Sequence, residues 1–583
     1  MRKILSYLKP HCAFMAMLMS VKVLGTLAEL ALPYILSHII DGVIGRLGAD
    51  ADVTSAGKSI LFWAGVMVFC AVAAVCLNVS ANRMAAKVAK TVAGEIRGDL
   101  FRRTVRLSPA QTDRYTVASL ESRITTDTYN IHHFLNVIQR MGVRAPILLV
   151  GGLVVTATLD PVLTLVMAAA LPLIFISVYG ISVKGLPLFR RAQMAVDRMV
   201  KVVREDAQGI RVIKALSRTE YENGRYEEVN RSLADEERRA NETMAAANPL
   251  MNLFMNLGLT AVVMAGALRV NAGLTDPGRI VAFIQYFTLI STAMMSVSRL
   301  FVIYSKASAS AGRVAEVLET PEELTVVKAE GAAAPECGGN YIVFEHVCFS
   351  YAGGGEVIKD VSFTLPRGQT LGIIGATGSG KTTLLALLMR LYDVSSGSVR
   401  IGGRDVRTIP EDELHSMFGA AMQNDFVYTG TVGENISFMR GIPEDDVRAA
   451  AVTAQADGFI RDFPEGYSHM LTSKGTNVSG GQRQRLLVAR AAAGKPDILV
   501  LDDSSSALDY RTDSALRRAI AKDMAGTTAV IVAQRVSSVR RCDKILVLSE
   551  GGIIGSGTDD ELMQSCALYR EIAESQMGGA ILD

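Results

Sequence analysis

An excess of charge of either sign is missing from this chain of 583 residues: Lys plus Arg is 60, Asp plus Glu is 58, and the charged fraction is only 20%. A net charge of +2 excludes binding to nucleic acid or another polyanion through bulk electrostatics. Paired cysteine is missing too. Cys12, Cys70, Cys76, Cys337, Cys348, Cys542 and Cys566 are odd in number and form no CxxC, so neither a disulfide framework nor a zinc site is expected, only reduced packing thiols. Beyond about residue 310 no apolar run is long enough to cross a bilayer.

Apolar surface, by contrast, is plentiful. Hydrophobic residues make up 49% of the chain and the mean hydropathy is +0.27. That excludes disorder, collagen and a small secreted scaffold, and implies that lipid solvates part of the surface. The basic start, with Arg2, Lys3 and Lys9, looks like the head of a signal peptide, but the apolar texture continues to about Ile44 without a small-residue cleavage site. Further apolar stretches near 59–79, 141–158, 161–182, 248–270 and 279–302 bring the expected spans to six. The connections near 46–57, at Asp160-Pro161 and near 271–278 are short, whereas those of about 80–132 and 183–247 are long and polar. The long ones carry Arg83, Lys87, Lys90, Arg97, Arg102 and Arg103, then Lys184, Arg190, Arg191 and Arg198. Positive charge belongs inside, so these connections and both termini are expected in the cytoplasm. Met84, Val88, Val92 and Ile96 recur at spacings of four, the period of a helix continuing out of its span as a stalk. A small-residue, aperiodic stretch marks a linker at about 318–340, which separates a membrane domain (1–317) from a second domain (341–583).

The second domain opens with short strands and turns, then runs through Leu371-Gly-Ile-Ile into Gly375-Ala-Thr377-Gly378-Ser379-Gly380-Lys381-Thr382-Thr383 and a helical pattern. Strand, GxxxxGKT and helix in that order are a phosphate-binding loop. The glycines let backbone amides turn toward phosphate, Lys381 supplies a reaching cation, and the Thr382 hydroxyl suits Mg²⁺. The apolar strand Ile498–Leu501 ends in Asp502-Asp503, which places a carboxylate for the same ion. Between them, Ser479-Gly480-Gly481-Gln482 opens another helical pattern and offers a second anion site.

This order of Walker A, SGGQ and Walker B resembles the ATP-binding cassette family, and the six spans ahead of it are similar to those of its exporter half-transporters. The resemblance implies a six-span helical membrane domain with long cytoplasmic extensions, followed by an α/β nucleotide-binding domain. It implies ATP and Mg²⁺ as cofactors, with Tyr351 stacking on adenine, Gln423 as the Q-loop residue at the Mg²⁺, and Ser506–Asp509 as the D-loop. Thr382, Gln423 and Asp502 would hold the metal. Arg123–Thr128 and Gly209–Ala215 resemble exporter segments near the cytoplasmic coupling turns. In the family two cassettes close head to tail, so Ser479, Gly480, Gly481 and Gln482 of one chain complete the site begun by Walker A of another. A second half-transporter chain is therefore expected beside the bilayer, with a small-molecule or peptide substrate and no nucleic acid. The expected location is a multi-pass protein of the bacterial cytoplasmic membrane.

The sequence departs from the pattern at its own Walker site. The usual glutamate after the Walker B aspartate is Asp503, and the usual switch histidine is Gln534. One methylene shorter, Asp503 falls short of the attacking water; glutamine, unlike imidazole, cannot gain charge. Thr472-Ser473 stands where exporters tend to have Gly-Glu, and Val478 replaces a leucine before SGGQ. The expectation is a heterodimeric, multidrug-type exporter subunit whose own site is degenerate, its partner carrying Glu and His. The alternatives are an ATP-binding regulatory or channel-like module with little turnover, and a homodimer that hydrolyses slowly. In the first span, Lys22 and Glu29 lie seven residues apart on nearly one helix face, and either line the transport path or pair with another helix.

Overall fold

The structure is a computed structural model describing residues 1–44, 53–327, 339–423 and 425–577. Cys337 and residues 328–338 of the expected linker lie outside the described residues; the six described cysteines are all free. The chain forms two compact units: Met1–Val105 with Ala118–Thr320, and Arg106–Val117 with Pro321–Asp583.

Among the described residues the first unit contains six helices long and apolar enough to cross a membrane: α1 (Lys3–Gly42), α2 (Gly57–Val105), α3 (Val117–Leu159), α4 (Pro161–Ala215), α5 (Thr219–Asn271) and α6 (Pro277–Glu319). At about 1.5 Å per residue, a helix of 40 to 55 residues exceeds the roughly 30 Å of hydrocarbon, so each one continues into water. In the stalk of α2, Val88, Val92 and Ile96 of the expected stripe are buried together with Ala81, Ala85 and Ala89, while Met84 is half-buried. On the cytoplasmic side α4 and α5 are joined only by residues 216–218, with Ser217 at φ 52°, and the segment Gly209–Ala215 ends α4 at that turn. Arg123–Asp127 is a π-helical turn near the start of α3, where buried Asp127 accepts from Arg313 and Ser310 of α6.

The core of the spans is dense. Tyr286 and Phe287 of α6 are fully buried, and the Tyr286 hydroxyl donates to the Leu30 carbonyl of α1 at 2.6 Å. A Cβ on Gly152 would meet Ile290 at 2.8 Å, so only glycine lets α3 approach α6 this closely. Lys22 is 3% exposed and donates to Asn78 and Asn82 of α2 at 2.8 and 3.1 Å. Glu29 is paired with Arg144 of α3. Both intramembrane charges of α1 thus have interhelical partners, which is how such groups offset their cost of desolvation. Met251, Phe254, Met255 and Met294, which would suit an apolar path, pack against this same core.

In the second unit a six-stranded sheet runs β10-β9-β3-β8-β7-β6, made of β3 (Thr370–Gly375), β6 (Phe418–Ala421), β7 (Ile498–Asp502), β8 (Thr528–Val532), β9 (Lys544–Ser549) and β10 (Gly552–Gly557). All its pairings are parallel except that of β9 with β10. β1 (Asn340–Ser350), β2 (Glu356–Pro366), β4 (Ser396–Ile401) and β5 (Arg404–Asp405) form a second, antiparallel sheet. Strands β3 and β7 read as continuous apolar runs because helices cover both faces of a parallel sheet. Their carboxyl ends are where such a sheet offers a ligand crevice.

Candidate nucleotide site

β3 ends at Gly375 and the loop turns into α7 (Lys381–Leu388). Gly378 and Gly380 have φ of 85° and 97°, left-handed values that a side chain would strain. A Cβ on Gly375 would sit 2.3 Å from the Leu548 carbonyl, and one on Gly380 would sit 2.7 Å from Ile358, so packing as well as conformation demands glycine. Lys381 bridges the loop, donating to the carbonyls of Gly375 and Ala376 at 2.8 Å each. Burial pushes its pKa down, partly opposed by Asp502 and Asp503. Thr377 sits exposed on the loop, while the buried Ser379 hydroxyl has no hydrogen-bond partner.

Thr382 Oγ1 donates to Asp502 Oδ2 at 2.8 Å. A hydroxyl beside a carboxylate, next to a phosphate-binding loop, is a hard oxygen pair of the kind Mg²⁺ takes while keeping water and substrate phosphates as its other ligands. The residues present fit the ion. Asp502 is 1% exposed, and burial raises its pKa, with Asp503 adding to the rise and Thr382 and Lys381 opposing it.

Asp503 follows β7 at φ 49°. Burial raises its pKa as well. Its Oδ2 accepts from Gln534 Nε2 at 3.2 Å and, at a longer 3.4 Å, from Gln423 Nε2. The structure therefore gathers Gln423, Asp503 and Gln534 onto a single carboxylate oxygen, beside the Lys381, Thr382 and Asp502 group.

Tyr351, expected on adenine, belongs to a ring cluster. It meets Phe349 and Tyr392 edge-on at centroid distances of 4.8 and 5.3 Å, and its hydroxyl lies 3.0 Å from Thr383 Oγ1. Sequence reasoning passed over Tyr392, whose hydroxyl donates to Asp113 Oδ2 at 2.9 Å. Asp113 lies on the short helix Pro109–Tyr115, which falls within the second unit and is fastened to it by Gln111 donating to the Pro321 carbonyl and Ser108 donating to Glu323. Nothing local in the sequence signals these contacts, because each joins residues more than two hundred positions apart.

The Ser479 group has its own geometry. Ser479 caps α8 (Gly480–Ala492) in a capping box: Gln482 N donates to Ser479 Oγ at 3.2 Å and Ser479 N donates to Gln482 Oε1 at 2.9 Å. Ser479 and Gly480 are exposed, with Gly481 and Gln482 half-buried beneath them. Gln484, also unassigned from sequence, ties α8 to the Ser506–Asp509 turn by donating to Ser506 Oγ at 2.8 Å and accepting from Ala507 N at 2.9 Å. The turn ends in Asp509, which caps α9 (Tyr510–Asp523) through Thr512.

Residues 15–294 match the model described as the ABC transporter transmembrane region, and residues 358–506 match that of the ABC transporter. Over 579 residues the chain is 32% identical to an uncharacterized ABC transporter ATP-binding protein of Mycobacterium tuberculosis, covering 98% of this chain and 97% of the relative. A fatty acid ABC transporter ATP-binding/permease protein of Mycobacterium bovis is 29% identical over 612 residues, covering 98% and 96%. The solved structure of a bacterial Atm1-family ABC exporter with ATP bound shares the fold, with a TM-score of 0.78 over 97% of this chain and 98% of that one at 22% identity. Six spans and an ATP-binding α/β domain in one chain, matched end to end by these relatives, place the protein in the ABC transporter family, as a half-transporter of the membrane whose cytoplasmic cassette is an ATPase coupled to transport.

Proposed function

We propose that this chain is one of two unlike subunits of an ATP-driven exporter, and that the site begun by its own Walker A binds ATP while hydrolysing it weakly. The observation that carries this reading is the state of Asp503. A general base must reach a water at about 2.6 to 3.2 Å with a free lone pair. Asp503 is short, its Oδ2 is shared by two glutamine amides, and burial raises its pKa. Gln534 can donate to a γ-phosphate but adds no positive charge as the phosphate charge develops.

Within this reading Tyr351 stacks on the base, Gly375, Thr377, Gly378, Ser379 and Gly380 shape the loop around phosphate, and Lys381 swings from its two carbonyls to the β/γ-phosphates. Thr382, Asp502 and Gln423 would hold Mg²⁺, which would supply positive charge against that of the phosphates. Thr383 stays with Tyr351. Ser479 and Gly480 face outward and, with Gly481 and Gln482 beneath them, serve the nucleotide of the partner, whose catalytic positions carry Glu and His. The favoured cargo is a small amphipathic or hydrophobic molecule such as a drug, lipid or peptide. The apolar spans support that choice, as does the relation to a fatty acid transporter at 29% identity.

The test is to purify the native complex from its source membrane, identify its chains, and assay ATPase against candidate amphiphiles. A second, different half-transporter with Glu and His supports the reading. A homodimer with brisk turnover overturns it.

A further inference from the structure

The loop that carries Gln534 takes its support from far along the chain. Ala533 and Val536 are buried on either side, leaving Gln534 and Arg535 exposed. A short helix, Val536–Val539, follows, and its N-cap residue, Arg535, is extended and makes no side-chain capping bond. The capping partner comes instead from α10 (Ala567–Met577), forty residues on. Gln576 Oε1 accepts from the Val536 amide at 2.8 Å, and Gln576 Nε2 donates to the Gln534 carbonyl at 2.7 Å. A primary amide offers a donor and an acceptor side by side, and here both grip the main chain flanking Arg535. The helix behind this grip is itself anchored. Tyr569 and Ala573 are fully buried in one apolar cluster with Val536, Val539 and Ile374, the last of these lying one residue before the end of β3. The Tyr569 hydroxyl donates to Asp559 at 2.6 Å, and Arg570 donates to the carbonyls of Met563 and Gln564 at 2.7 and 2.8 Å. The switch loop is thus tied to the same packed core that backs the phosphate-binding loop.

From this geometry we infer that Gln576 is a positioning residue for nucleotide recognition: it fixes the main chain on both sides of Arg535 and so aims the Gln534 amide at the γ-phosphate of ATP in this chain's own Walker site. The inference rests on the proposed role of Gln534. In the structure that amide reaches Asp503 Oδ2 at 3.2 Å, beside the Lys381, Thr382 and Asp502 group. Arg535 is near enough to Asp503 to favour its carboxylate form, so both residues of the gripped segment bear on the site. A flexible side chain singles out one phosphate only when the backbone beneath it is held, and a two-point grip sets position and direction together. Gln576 itself touches no nucleotide. ADP has no γ-phosphate for Gln534 to bond, so the grip acts on the choice between ATP and ADP rather than on nucleotide binding in general.

The test uses the full-length chain in its native complex, reconstituted in nanodiscs. Photolabelling with 8-azido-ATP and Mg²⁺, resolved chain by chain on a gel, reports the site begun by this chain. Competition by ATP and by ADP then gives its preference between the two. Gln534→Ala should lower that preference by about tenfold or more, the scale of one hydrogen bond to a charged group. Gln576→Ala should lower it by about three- to tenfold, a partial loss of the same bond, through weaker competition by ATP with competition by ADP unchanged. Gln576→Glu keeps the acceptor for Val536 but sets a carboxylate oxygen against the Gln534 carbonyl, and should lose at least as much as alanine. Because Gln576 acts through Gln534, adding Gln576→Ala to Gln534→Ala should change the preference no further. Equal weakening of ATP and ADP in Gln576→Ala would make the residue a structural prop and overturns the inference. So do additive losses in the double variant, or a preference unchanged in both Gln576 variants while Gln534→Ala loses it. An unchanged preference in Gln534→Ala overturns the proposed role of Gln534, and the inference with it.

Discussion

The cassette carries two halves of ATP chemistry that differ in how far they have moved from the family pattern. The Ser479 side keeps each element a γ-phosphate dock requires: an exposed serine, a helix N-terminus behind it, and a capping box that fixes both. On the proposed reading the Walker side keeps its grip on phosphate and metal, while the positions of base and switch hold Asp503 and Gln534, bonded to one another. In the proposed function, binding groups and reacting groups are thus separated. A site can lose turnover without losing its ligand, because the backbone loop and Lys381 act in the ground state whereas a base acts only as the bond breaks.

The harshest way to break this comparison is Ser479→Arg, which puts a bulky cation where the partner-bound γ-phosphate docks. ATPase of the native complex should fall by about 10² or more, the scale of losing preorganised phosphate contacts. Asp503→Ala in the same assay should change it less than about twofold, since losing a working base would cost about 10² to 10⁴. Equal losses would mean that Asp503 is a competent base. Lys381→Ala should weaken nucleotide binding at this chain's own site by about tenfold or more, read from fluorescent-ATP titration, because a desolvated charge directed at phosphate is removed. The comparison is sharpened by Asp503→Glu with Gln534→His, which restores the usual pair. Steady-state ATPase should then rise by about twofold, the gain expected if a second site fires, with coupling to transport measured alongside.

The smallest effect concerns pH. Burial raises Asp502 and Asp503, so the folded cassette binds protons more readily there than the unfolded chain does. Their contribution to stability is complete below the ordinary aspartate value of about 3.9 and is lost as pH rises through the raised folded values. Nucleotide-free protein should therefore lose a little stability across that window on going to neutral pH. Adding Mg²⁺ and ATP, which require the ionised carboxylates, should reverse the trend. Thermal melts with and without nucleotide across the acidic range would read both slopes.

What could be read from sequence was local. Strand, glycine loop and helix lie within fourteen residues, 370–383, so their order was legible from spacing alone. Apolar length made the six spans equally plain, and the period-four stripe at Val88, Val92 and Ile96 marked the stalk. Partnership was not legible. Lys22 could have faced water or protein, and only folding brings Asn78 and Asn82 to its ammonium. The hydrogen bonds from Gln534 and Gln423 to Asp503 depend on three loops meeting at strand ends. Tyr392 and Gln484 carried no motif that singled them out, since their roles rest on what they touch.

The membership of residues 106–117 in the second unit has a practical corollary. The cassette is not a continuous stretch of chain, because a dozen residues of it are supplied from between two spans. Cutting at Pro321 would sever it from the amide of Gln111 and the hydroxyl of Ser108, and would leave Tyr392 without its carboxylate. An excised cassette should thus behave as a protein with a missing splint, restored by a synthetic 106–117 peptide added in trans and more faithfully by fusing that peptide ahead of residue 321.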